Sequence, residues 1–124
     1  MYQTKKNPLR VLPGGFGHAL TGIRSFIAAE KNARFHGLAT VAVLGLSWIL
    51  HNTPGEWIAV GMAIGFVWVA EMFNTCIEKV MDFISKERRA EIRFIKDIAA
   101  GAVLVASLTA LATCLLIFIP KLGI

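Results

Sequence analysis

Charge is scarce in this chain. Only 17 % of its 124 residues are charged, against 56 % hydrophobic, whereas soluble domains carry about 25 % charge. A chain this short cannot hide so much apolar surface in a core of its own, because burial capacity falls with size. A soluble monomer is therefore excluded, and the excess must face lipid, partner subunits or both. Cysteine is equally rare. Cys76 and Cys114 are the only two, too few for a disulfide scaffold, and within apolar helical runs both read as small buried hydrophobes. Disorder is excluded by the same composition. The first 30 residues contain no apolar core segment, so a cleaved signal peptide is not expected. A phosphate-binding loop is also missing: Pro13-Gly14-Gly15-Phe16-Gly17 lacks the Lys-Ser/Thr of a P-loop and follows no strand. It reads as a flexible lead into a helix.

What the chain does have is three apolar segments, beginning at Phe35, Trp57 and Ile98. The fold class expected is an all-α membrane protein forming one domain over residues 1–124. Residues 1–34 form a cytoplasmic segment with an amphipathic surface helix, and transmembrane helices cover 35–51, 57–84 and 97–119, near the length that a bilayer demands. In the surface helix Phe16, Leu20, Ile23, Phe26 and Ile27 recur at helical spacing, while His18, Thr21, Ser25 and Lys31 fall largely on other faces. Pro54-Gly55 marks a tight turn between the first two spans, with Trp48 and Trp57 at the depth of an aromatic belt. His51 in that turn is read as solvated. Gly61 and Gly65 form a GxxxG, and Ala99, Ala100, Gly101 and Ala102 open the third span, so both read as helix contacts.

Twelve of the thirteen basic residues lie in 1–36 or 74–97, and only Lys121 lies elsewhere. The positive-inside rule puts those segments and the N-terminus in the cytoplasm and the C-terminus outside. This separation accounts for the net charge of +5 without any nucleic-acid partner.

The informative stretch is Glu71 to Asp82. At ~100° per residue, Glu71, Asn74, Thr75, Glu78 and Asp82 share an arc of roughly 100°. If Trp57 marks the outer boundary, Glu71 lies ~21 Å deeper, inside a hydrocarbon slab of ~30 Å. An ionisable group there costs at least ~2.5 kcal/mol and should face protein or a water-filled cleft. A carboxylate in such a place either pairs with a neighbouring cation or serves as a general base. Glu30, near the junction of surface helix and first span, and Lys96-Asp97 before the third span add oxygen ligands and a cation at the same boundary. Magnesium is held by one or two carboxylates plus substrate phosphates, and phosphoryl transfer needs a metal, charge neutralisation and an activated nucleophile. His36 is read as a polar interface residue rather than a metal ligand.

Through Glu30-x-Asn32-x-Arg34-x-His36, Glu71-x-x-Asn74-Thr75-x-x-Glu78 and Lys96-Asp97-Ile-Ala-Ala-Gly-Ala102, the chain resembles the prokaryotic diacylglycerol kinase family, which includes undecaprenol kinases. The resemblance covers roughly residues 14–119. It implies a homotrimer in the bacterial inner (cytoplasmic) membrane, with composite sites between subunits, that phosphorylates a membrane lipid hydroxyl using ATP and Mg2+. It further implies Glu71 as general base, Glu30 and Glu78 as ligands of the metal and nucleotide, and Asn74 as their polar partner. Lys96, Asp97 and His18 become nucleotide contacts, with Arg10 and Glu87-Arg88-Arg89 as further ones. The Asn32-Ala-Arg34-Phe-His36 pattern looks closer to the undecaprenol branch, since some diacylglycerol-specific members carry an acidic residue at the position of His36. The alternative is a small proton-coupled transporter using an intramembrane Glu, although such a carrier does not require the polar groups gathered at the cytoplasmic boundary. A non-enzymatic membrane scaffold leaves the cost of Glu71 unexplained.

Overall fold

The structure, a computed structural model, describes residues 14–124. They form four helices: α1 (Gly14–Ala29), α2 (Lys31–Ile49), α3 (Pro54–Ile84) and α4 (Ala90–Lys121). The chain divides into two compact units, the first ending at Phe35 and the second covering His36–Ile124. Lys5, Lys6, Arg10 and Pro13 lie outside the described residues.

In the first unit, Gly14, Gly15 and Gly17 belong to α1 itself, so the expected flexible lead is helical at these positions. Thr21 donates its hydroxyl proton to the Gly17 carbonyl at 2.9 Å, adding a side-chain bond to that first stretch of helix. Phe16, Leu20, Ile23 and Ile27 form one exposed apolar stripe, whereas Phe26 is buried. At Glu30 the helix is interrupted, yet the Glu30 amide still donates to the Phe26 carbonyl at 3.1 Å and the Glu30 carbonyl accepts from the Arg34 amide at 3.4 Å.

In the second unit, α3 and α4 are each long and apolar enough to cross a membrane, with 31 and 32 residues. At 1.5 Å per residue both exceed a ~30 Å hydrocarbon slab, which leaves room for polar ends. α2 does not reach that mark, because Lys31, Asn32, Arg34 and His36 occupy its first turns. α3 begins at Pro54, not at Trp57, and Pro54-Gly55 is its first turn rather than a separate turn motif. Thr53 caps it: its hydroxyl accepts from the Glu56 amide at 3.2 Å, and the Glu56 carboxylate accepts from the Thr53 amide at 2.9 Å. This reciprocal box satisfies two N–H groups that a helix start otherwise leaves unpaired. The chain reversal falls on exposed His51, whose φ of 53° is left-handed. Lys121, near the end of α4, closes this side with its Nζ 2.8 Å from Glu56 Oε1 and 3.0 Å from Asn52 Oδ1.

α3 packs along α4. Its buried positions are Val60, Ala63, Val67 and Glu71, spaced as one face of a helix, and Ala99, Ala106 and Phe118 are buried on α4. Gly61 and Gly65 are exposed, and a Cβ at either meets nothing within 4 Å. The four described helices therefore do not use the GxxxG as a contact, in contrast to Ala99. Cys76 is exposed and Cys114 only half-buried, so the expectation of two buried thiols fails: Cys76 lies off the α3 face that packs.

Candidate active site

The buried face of α3 changes character along its length. It runs apolar from Val60 through Val67, reaches Glu71, and continues at the same spacing through Asn74, Glu78 and Asp82. Glu71 thus occupies a core position and is only 6 % exposed. Its partner comes from α2: His36 Nε2 lies 2.7 Å from Glu71 Oε1. A carboxylate is an acceptor only, so opposite ionised Glu71 the imidazole N–H donates. The Thr40 hydroxyl donates to the His36 carbonyl at 2.7 Å and accepts from Trp68 Nε1 at 2.9 Å. Trp68 precedes Glu71 by three residues, and Thr40 follows His36 by four, so each pair shares one helix face. The two helices are tied at this level by two bonds between side chains.

One turn beyond Glu71, half-buried Asn74 donates its amide N–H to Glu78 Oε1 at 3.3 Å. Asn74 Oδ1 is buried and accepts no hydrogen bond from any described residue, while Glu78 is exposed. These are two hard-oxygen side chains, one of them with an unused acceptor. Among the described residues no three His, Cys, Asp or Glu converge as a metal cage. A magnesium site does not need one, because substrate phosphates and water complete it, and Asn74 with Glu78 fits such an open site.

Further along, Asp82 Oδ1 accepts from Lys96 Nζ of α4 at 2.7 Å. Here the helices part around a cleft of about 470 Å³ lined by Lys86, Arg88, Arg89, Arg93 and Lys96 against Asp82 and Glu87. Five cations facing two carboxylates make it attractive to an anion. Asp97 is exposed and pairs with Arg93 Nε at 3.3 Å on its own helix. From Glu71 to Asp82 the column rises ~16 Å along α3. Of the residues singled out in the sequence, Glu71, Asn74, Glu78, Lys96 and Asp97 lie in this second unit, while Glu30 and exposed His18 belong to the first. His36, read as an interface residue, is the contact of Glu71, and Thr40 and Trp68 went unnoticed. The available signal was a polar i, i+4 pair on α2 matching a polar α3.

The pattern of the family described as prokaryotic diacylglycerol kinase matches residues 17–118. The chain belongs to that family. An undecaprenol kinase of Bacillus subtilis (strain 168) is 35 % identical over 117 residues, 94 % of this chain and 95 % of its own length. A diacylglycerol kinase of Synechocystis sp. is 31 % identical over 119 residues, 91 % of this chain and 68 % of its own length. The protein is thus a prokaryotic lipid kinase of the membrane. The transporter reading finds no support in this membership.

Proposed function

We propose that the protein transfers the γ-phosphate of ATP to the hydroxyl of a membrane-embedded lipid alcohol, with Glu71 as general base. The single observation that carries this is the continuous column on α3, from a buried carboxylate through Asn74 and exposed Glu78 to a cationic cleft beside Lys96. Such a column suits a reaction whose two substrates come from different phases, the lipid laterally and the nucleotide from water. The Glu71 carboxylate takes the hydroxyl proton as the lipid oxygen bonds to the γ-phosphorus, the bond from that phosphorus to the bridging oxygen breaks, and ADP leaves with the electron pair. Lys96, Arg93 and the cations of the cleft hold the phosphates by charge-assisted bonds. Glu78 and Asn74 would hold Mg2+, which when bound neutralises charge on the phosphates, and Glu30 keeps the ligand role that the family resemblance implies. His18 and Asp97 contact the nucleotide.

The same reading takes α2 as a third span whose polar first turns sit in the interface, and α1 as a helix on the cytoplasmic surface. Its exposed stripe of Phe16, Leu20, Ile23 and Ile27 suits that position. The protein works as a homotrimer in the bacterial inner membrane, with its N-terminus in the cytoplasm and its C-terminus outside. The open Gly61–Gly65 face suits a helix from another copy.

The lipid is undecaprenol or diacylglycerol, the alcohols in the names of the two relatives. Purified protein in bilayers, given ATP, Mg2+ and each alcohol side by side, tests the proposal. Phosphorylation of one alcohol in preference identifies the substrate, and phosphorylation of neither refutes the reading.

A further inference from the structure

We propose that His36 is a positioning residue for the catalytic carboxylate: its Nε2–H holds Glu71 Oε1, so that the other oxygen, Oε2, is presented to the lipid hydroxyl. The inference rests on the reading of Glu71 as base. A buried glutamate with three rotatable bonds has no fixed direction of its own, and a general base needs one, because the acceptor oxygen must lie within hydrogen-bond reach of the proton it takes. Here the contact is short, 2.7 Å, and both side chains are shielded, at 18 % and 7 % exposure. Oε2 accepts no bond that the structure shows from any described residue, which leaves it available to substrate.

His36 is itself fixed. Its carbonyl accepts from Thr40, and the Thr40 hydroxyl is gripped by Trp68 Nε1 from the α3 turn that also carries Glu71. Thr40 uses its one proton on the His36 carbonyl and a lone pair on the indole, so its hydroxyl has a partner in each direction. The indole and the carboxylate therefore clamp two successive turns of α2 to one turn of α3. Relative sliding of the helices breaks both bonds together, which holds the imidazole opposite the carboxylate.

Four variants of the full chain, purified into bilayers, test this. For each, kcat per folded protein and KM for ATP are measured, with folding followed by circular dichroism. His36→Leu, which keeps bulk and loses the donor, is expected to lower kcat by about 10- to 100-fold, the scale of a misplaced reacting group, with KM for ATP unchanged. His36→Gln, whose amide N–H reaches about as far as Nε2–H, recovers most of that loss. Trp68→Phe lowers kcat by a smaller factor. Glu71→Gln is the reference and loses about 100- to 10 000-fold in kcat. If His36→Leu stays within twofold of the unaltered protein while Glu71→Gln shows that loss, the positioning role is wrong and the base stands. If Glu71→Gln stays within about fivefold of the unaltered protein, well under the general-base contribution, the base itself is wrong. Should His36→Leu fail to fold, His36→Gln decides: retained kcat supports the donor role, and a loss as deep as that of Glu71→Gln overturns it.

Discussion

Replacing Glu71 separates its charge from its shape. Glu71→Gln keeps the side-chain length and an oxygen able to accept the His36 N–H, so the 2.7 Å contact and the α2–α3 pairing survive. What it loses is the ability to take a proton. General-base catalysis contributes about 100- to 10 000-fold, equivalent to about 2.7–5.5 kcal/mol of barrier, and the variant should lose that much in kcat while still binding ATP. Glu71→Asp makes the complementary change. It keeps the charge but withdraws the carboxylate by one C–C bond, ~1.5 Å, which takes the His36 contact from 2.7 Å past the ~3.2 Å limit of an N–H···O bond. A displacement of that size costs on the order of 100-fold. The assay is single-turnover transfer of labelled phosphate to lipid, with nucleotide binding measured separately. A Glu71→Gln variant within about fivefold of the unaltered protein, well under the general-base contribution, would refute the assignment.

Three further outcomes are expected. Glu78→Gln should raise the Mg2+ concentration needed for half-maximal rate by about 10-fold or more, the low end of effects on metal affinity; an unchanged Mg2+ titration contradicts its role. Lys96→Met removes a cation from the cleft and should raise KM for ATP by about 10-fold, one charge-assisted hydrogen bond, with a smaller change in kcat in steady-state kinetics. Thr53→Ala abolishes the capping box at the far end of α3 and should cost about 1 kcal/mol of stability, read by thermal unfolding, with turnover per folded protein unchanged.

The apolar runs made three of the four helices legible, and the spacing of Phe16, Leu20, Ile23 and Ile27 gave the other. Their ends were less legible, for particular reasons. Thr53-Pro54-Gly55-Glu56 has the form of a capping box with Pro at the first helical position, but Pro-Gly also signals a turn. The start of α4 at Ala90 was hidden because Glu91, Arg93, Lys96 and Asp97 are helical without being apolar, and an apolar window sees only the part suited to hydrocarbon. On the site, the polar arc from Glu71 to Asp82 was readable because helical periodicity is local. The pairing of His36 with Glu71 was not, since the two lie 35 positions apart and no local pattern announces which helix faces which. For the same reason the Lys96–Asp82 and Lys121–Glu56 bridges became visible only with the chain folded.

The most direct measurement supplies the purified protein in bilayers with ATP labelled at the γ-phosphate, once with a lipid alcohol and once with the same lipid capped as its methyl ether. Label should appear on the alcohol and be absent from the ether, with one ADP formed for each phospholipid made. Consumption of ATP that leaves the alcohol unlabelled contradicts phosphate transfer to a lipid hydroxyl.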